Sequence, residues 1–403
     1  MDGLLPERET PHPSELGGEK GNGAEVSQTD ASGVHAEYRG RRLSTQRAIA
    51  LICRADALKT HPGQWPGDVY RVVQCLWCRV AEVHVVMSVE FKHAHYKGLQ
   101  TCGSVWVCPM CASKVEERRR IEVAGIFAWA GPEGLDSSLH TNTFSHGMGD
   151  DLGELFKRQA AALKSFRTSR SYVSEMKAIG YVAMIRALEI THGRNGWHPH
   201  THELKFHREQ LNDTDAMAMR SRLALAWLAA CTKSGLFKPG DDEAAFYHRA
   251  VDIRPHFGSG DYLAKTDDKK NWTAPHELAK ASSKQGRFAG VHPFQLAIRG
   301  NPGDPELFLD YVKATKGKRK LMFSPGLKKL AGIAEKSDEQ IAAENEDTAT
   351  TIANVSRVWD FIKSTDSKHN TRARVLDAAE QNGKDGIAEL LHNLGFDPLE
   401  VSP

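Results

Sequence analysis

The chain has 403 residues, 40% hydrophobic and 26% charged, with a formal net charge of +2. That is length for two or three domains around buried cores. A mean hydropathy of −0.47, and no apolar run near the ~18 residues needed to cross a bilayer, exclude a membrane-spanning role. The opening Met-Asp-Gly-Leu-Leu-Pro-Glu-Arg-Glu lacks the basic-then-apolar pattern of a secretory signal, so a cytoplasmic location is expected. Seven cysteines without such a signal argue against a disulfide framework and for metal ligation or burial.

The net charge conceals a pattern. Residues 1–30 carry seven acids against two bases, residues 265–330 fourteen Lys/Arg against six Asp/Glu, and residues 334–403 fourteen acids against seven bases. A basic block between acidic flanks suits a polyanion-binding core. In chain order, residues 1–45, rich in Gly, Glu, Ser and Pro at their start, read as a disordered acidic segment. Residues 46–115 form a Cys-rich module. Cys75-Leu76-Trp77-Cys78 and Cys108-Pro109-Met110-Cys111 are two CxxC knuckles, which can supply four thiolates to a tetrahedral structural Zn2+. Cys102 could replace one of the four, and His93 and His95 are near.

Residues 112–130 read as a helix with a basic face, 138–144 as a strand, and 152–171 as a helix. A hairpin follows: strand 181–191, a turn around Gly193-Arg194-Asn195-Gly196, and strand 197–206. Residues 217–232 form a strong helix and 250–254 a short strand. A helix starts near residue 261. Residues 271–335 are a basic extension, and 336–403 an acidic tail with helical stretches near 351–364 and 372–393.

The sharpest feature is Gly196-Trp197-His198-Pro199-His200-Thr201-His202. Strand side chains alternate faces, so His198, His200 and His202 point one way. Folding the hairpin about Arg194-Asn195 sets Thr191 opposite His198 and Glu189 opposite His200, on the same face. Imidazoles and a carboxylate on rigid strands make a site for one divalent metal, with zinc, manganese and magnesium all open. A slip of one residue would move Glu189 to the other face.

These residues resemble the HUH endonucleases. Arg186-Ala187-Leu188-Glu189-Ile190-Thr191 with Gly196–His202, preceded by Leu139-His140-Thr141-Asn142-Thr143-Phe144-Ser145-His146, is similar to the replication initiators of rolling-circle plasmids. The resemblance covers about residues 70–330, and Thr201 departs from the bulky middle residue of the histidine triplet. It implies an α+β fold: an HUH-type antiparallel sheet of about five strands within residues 116–270, helices packed on one face, plus the zinc module and the helical tail. It implies Mg2+ or Mn2+ at Glu189, His198, His200 and His202, and a tyrosine nucleophile C-terminal to them. Tyr262, in Gly260-Asp261-Tyr262-Leu263-Ala264-Lys265, has that context, with Lys265 one helical turn on; Tyr247 is the runner-up. Residues 102–111 match the family's Cys-Gly-x-x-Trp-x-Cys-Pro-x-Cys segment. The implied activity is nicking of one origin strand through a 5′-phosphotyrosine, with later rejoining. The implied partners are plasmid origin DNA, contacted by Lys269, Lys270, Arg287, Lys318, Arg319 and Lys320, and a host helicase, polymerase and single-strand-binding protein. There is no P-loop to drive unwinding. Competing readings are an HUH transposase or mobilisation relaxase and, in another class, a non-catalytic zinc-stabilised DNA-binding regulator.

Overall fold

Two antiparallel sheets organise the computed structural model, which describes residues 28–89, 93–258, 290–344 and 349–396. In chain order, α1 (Gln28–Thr60) and α2 (Pro66–Val69) precede β1 (Arg79–Met87), β2 (Ala94–Leu99) and α3 (Pro109–Ala130). The central region is β3 (Asp136–Asn142), α4 (Leu152–Arg167), α5 (Arg170–Ala178), β4 (Tyr181–Gly193), β5 (Gly196–His207), α6 (Asp213–Ser234), α7 (Glu243–Arg249) and β6 (Val251–Arg254). After it come α8 (Pro293–Leu296), α9 (Asp304–Thr315), β7 (Leu321–Phe323), α10 (Leu327–Leu330), α11 (Asp338–Ala343), β8 (Thr350–Asn354), α12 (Trp359–His369) and α13 (Thr371–Asn393). The fold is α+β. No helix among the described residues is long and apolar enough to cross a membrane.

The larger sheet has strand order β6-β3-β5-β4-β7. Its centre is the β4–β5 hairpin, closed at Gly193↔Gly196 over the two-residue loop Arg194-Asn195. Gly196 has φ +81°, and a Cβ there would lie 2.8 Å from the Gly147 carbonyl. Only glycine lets the loop after β3 come that close. The helices around the sheet start on capping side chains: Asp151 accepts from Glu154 N at α4, Ser169 from Tyr172 N at α5, and Asn212 from Asp215 N at α6.

Both faces of this sheet carry helices, which corrects the expectation of helices on one face. Because β5 alternates, Leu204 and Phe206 pack with Leu139, Ala183, Ile185 and Ala187 against Val123 and Ile126 of α3 on one side. On the other, Ile190, Trp197, Val251 and Ile253 pack against Phe166, Leu223 and Trp227 of α4 and α6. α3 covers the end of its face remote from the hairpin turn. The basic extension also contributes: β7 pairs with β4 as an edge strand, Ala187↔Leu321 to Ile185↔Phe323.

The smaller sheet, β2-β1-β8, joins segments far apart in sequence. Residues 350–354, expected within a helical stretch, are a strand because β1 offers them a ladder, His84↔Asn354 to Met87↔Thr350. The tail therefore packs against the Cys-rich module: Val83, Val85, Tyr96 and Leu99 share a core with Trp359, Ile362, Val375, Ile387 and Leu391. Residues 28–45, expected to be disordered, lie in α1. Leu43, Ile49, Cys53 and Ala57 are buried at helical spacing, and that burial offsets the ordering entropy. Residues 1–27 lie outside the described residues. Arg39 reaches Asp377 at 2.5 Å and also pairs with Glu380. Fully buried Arg372 binds Asp366 at 3.0 Å, Gln46 Oε1 at 3.1 Å and the Leu76 carbonyl at 3.1 Å.

Candidate metal centre

The observed register of the hairpin is Thr191↔His198, Ile190↔Pro199 and Glu189↔His200, as the alternation predicted. His198, His200 and His202 share one face near the turn, where ring centroids of successive imidazoles are 4.9 and 4.8 Å apart. Glu189 Oε2 lies 3.3 Å from His202 Nε2 and 3.5 Å from His200 Nε2. Ligands held by bonds of ~2.0–2.1 Å stand about 3.0–3.4 Å apart in octahedral or tetrahedral geometry, so the three donor atoms fit one cation. Their side chains are 11–14% exposed, half-buried yet reachable.

The neighbours orient these rings. Thr141, opposite His202 on β3, has its hydroxyl 2.9 Å from His202 Nδ1. With Nδ1–H donating to that oxygen, the lone pair of Nε2 faces Glu189. Nδ1 of His200 is buried without a hydrogen-bond partner among the described residues.

His198 shares the face but is not drawn into the three-atom cluster. Its Nδ1 is instead 2.6 Å from Nε2 of His146, whose own Nδ1 donates to the Asn195 carbonyl at 3.0 Å. The α6 residue Trp227 braces the loop that delivers His146, donating from Nε1 to the Thr143 carbonyl at 2.6 Å. Burial, reinforced by the His200 and His146 imidazoles, pulls His198 down to about 3, so it is neutral near pH 7. Sequence reading missed the His146 and Thr141 contacts, although both residues stand in the quoted motif upstream.

A second cluster forms among the thiols. Cys75 Sγ is 3.6 Å from both Cys108 and Cys111, and Cys102 is 3.7 Å from Cys111. Four sulfurs bound at ~2.3 Å to one tetrahedral ion stand about 3.8 Å apart, so this buried quartet could hold a metal. Cys102 takes the place expected for Cys78, which is half-buried and outside the cluster. The reason is local. Leu76 adopts φ +49°, and the Cys78 carbonyl accepts from Gln100 N at 2.9 Å, which commits Cys78 to the start of the β1–β2 ladder. Cys108 caps α3 with Pro109 at its first position. Gly103, at φ +70°, brings its Cα within reach of Glu339, where a Cβ would lie 2.9 Å from the backbone.

The other expected site residues are scattered or lie beyond description. Lys320 is buried, paired with Glu116 and 5.5 Å from the Trp106 ring, which removes it from any surface contact. Lys318 lies over the Phe156 ring at 4.6 Å, and Arg319 is exposed. Tyr247 is half-buried on α7, 5.5 Å from the Arg220 guanidinium. Tyr262, Lys265, Lys269, Lys270 and Arg287, with the helix expected from residue 261, lie outside the described residues.

No protein-family model and no solved structure matches the chain. Among curated proteins it is similar to "Protein rep" of Streptomyces lividans, 28% identical over 298 residues that cover 59% of this chain and 64% of that protein. It is also similar to "Neomycin resistance protein" of Streptomyces cyanogenus, 29% identical over 133 residues that cover 27% of this chain and 30% of that protein. The chain thus spans less than two thirds of the length of each of these relatives. Its similarity to a Rep protein agrees with the resemblance carried by its histidine hairpin.

Proposed function

We propose that the chain is a plasmid replication initiator of the rolling-circle type, a metal-dependent, site-specific single-strand DNA endonuclease and strand transferase acting in the cytoplasm. The observation that carries this reading is the convergence of Glu189, His200 and His202 donor atoms on one point of a rigid hairpin, in a chain similar to a Rep protein. Mg2+ or Mn2+ bound by these residues, with His198 beside them, would polarise the scissile phosphate and stabilise its developing charge. Thr141 would hold the His202 ring in its ligating tautomer. Tyr262 is the nucleophile in this reading, and Lys265 steadies its phenolate. The phenolate oxygen attacks phosphorus and the bond to the 3′ oxygen breaks. That leaves a 5′-phosphotyrosine and a free 3′-OH for a host polymerase, while a host helicase and single-strand-binding protein manage the displaced strand. The phosphodiester energy is retained, so the same site can rejoin the strand. The thiol quartet holds structural Zn2+.

The test is incubation of supercoiled plasmid carrying the cognate origin with the protein and Mn2+. Nicked circles and a covalent adduct are expected, lost on chelation and restored by Mn2+. In Tyr262→Phe the adduct should vanish with origin binding retained, and mass spectrometry of the wild-type adduct should locate phosphate on Tyr262. An adduct that persists in Tyr262→Phe reassigns the nucleophile to Tyr247 or another tyrosine. Origin binding without nicking by the wild-type protein returns the chain to a non-catalytic regulator. For the thiols, one zinc per chain by elemental analysis is expected, lost in Cys102→Ser and kept in Cys78→Ser.

A further inference from the structure

A cleft of about 1090 Å3 lies between the Cys-cluster loop and the segment that joins α9 to β7. One wall carries Lys313, Lys316, Lys318 and Arg319; Arg71 and His61 stand on the other. Several charges that line the cleft are already neutralised: Arg119 by Asp338 at 2.7 Å, Lys328 by Glu122 at 2.9 Å, and Lys336 by Glu344 at 2.5 Å. Lys313, Lys316 and Arg319 are exposed and form no ion pair among the described residues. The carboxylates of Asp68, Glu335 and Glu339 also line the cleft, but none of them pairs with Lys313, Lys316 or Arg319, so that wall keeps its positive charge.

Two further features limit what fits there. Of the aromatic side chains that line it, Trp106 is buried and donates its Nε1–H to the Lys318 carbonyl at 2.7 Å, Lys328 Nζ lies over the Phe323 ring at 4.4 Å, and half-buried Tyr70 donates its hydroxyl to Asp56 at 2.5 Å. The cleft offers a charged wall rather than a stacking platform, so recognition would run through phosphates rather than bases. The wall is also tied by the backbone to the strand that bears the metal centre. Past Arg319 the chain joins the ladder through Leu188 N to the Lys320 carbonyl at 2.9 Å, one residue from Glu189, and continues as β7 against β4.

We propose that this cleft grips the sugar–phosphate backbone of duplex DNA flanking the nick site, independently of sequence and separately from the hairpin that would bind the scissile strand. The inference rests on the nuclease reading for its "nick site", and its test is arranged so that the two can fail separately. The probe is a fluorescein-labelled 20-base-pair duplex without an origin, titrated by anisotropy with the full chain between 50 and 200 mM salt. Each phosphate contact contributes about 0.9 to the slope of log affinity against log salt. In the triple variant Lys313→Gln, Lys316→Gln, Arg319→Gln the slope should flatten by about 2.7. In the Lys313→Arg, Lys316→Arg variant, which keeps both charges, the slope should be retained. The three side chains are exposed, and an unchanged thermal midpoint confirms that the fold is intact. Cleavage of a short single-stranded origin oligonucleotide by the double variant Lys313→Gln, Lys316→Gln should stay near wild type. Wild-type slope and affinity in the triple variant would overturn the cleft, even with nicking demonstrated. A flattened slope in a protein that never nicks would leave the cleft standing and remove the nuclease. A single-stranded probe that shows the full slope change while the duplex shows none would also overturn the proposal.

Discussion

The two faces of β5 carry the same chemistry to opposite ends. On the front, His200 and His202 meet Glu189, and their ligating atoms point at one another. On the back, one residue out of phase, Glu203, Lys205 and His207 join Arg167, His140 and Ser138 beneath the helices. There Lys205 binds Glu203 at 2.7 Å and Arg167 pairs with the same carboxylate. The Ser138 hydroxyl bridges His140 Nε2 and His207 Nε2 at 3.0 Å each, and His207 Nδ1–H donates to the Glu209 carbonyl at 2.7 Å. Burial would raise Glu203, but Lys205 and Arg167 hold it well below the ordinary carboxylate range. The back face is closed, each ionic group answered by its neighbour. The front face brings three donor atoms to one point. Residue types alone do not mark a site; convergence of their ligating atoms does.

The contrast can be broken most sharply at its two glutamates. Glu203→Gln strips the counter-charge from fully buried Lys205 and should cost about 3–5 kcal/mol in urea unfolding. Glu189→Gln should shift stability by under about 1 kcal/mol while abolishing Mn2+ binding in calorimetry. Equal losses of stability from the two would erase the distinction. A smaller effect is expected from Thr141→Val, which removes the partner of His202 Nδ1. Mn2+ affinity should fall about 10–100-fold, with the unfolding midpoint little changed.

The mildest test is pH. Burial, with Lys205 adding to it, lowers His140 well below its ordinary 6.5, and burial lowers His207 as well. Both therefore bind a proton less readily when folded than when unfolded. Stability should be flat above pH 6.5 and fall as pH drops below it, by up to about 1.4 kcal/mol per pH unit per imidazole. Thermal melts from pH 7.5 to 5.5 read this directly, and a midpoint that rises on acidification would contradict the closed back face.

How far the sequence reveals these arrangements depends on the range of the cause. The hairpin register was legible because a two-residue turn fixes which residues oppose, and alternation then assigns every side chain to a face. Cys102 against Cys78 was not: spacing favours the tidy pair of knuckles, and only the left-handed Leu76 and the ladder bond from Gln100 turn Cys78 away. Lys320 looked like part of a basic run because Glu116, which neutralises it, lies 204 positions earlier in the sequence. The strand at Thr350–Asn354 has no local pattern of its own and exists because β1 pairs with it. Residues 28–45 were misjudged from the polar composition of the stretch before them.

The pairing of β8 with β1 also dictates an order of assembly. The five strands bearing the candidate metal centre are complete once Phe323 has been made, whereas β1 and β2, translated before any of them, lack their third strand until Asn354 emerges. At about 5–20 residues per second, the ribosome leaves that early hairpin waiting on the order of 10–50 s. The first-made sheet is thus the last to close, and a transcript cut short before β8 would yield a finished hairpin centre beside an unsealed thiol module.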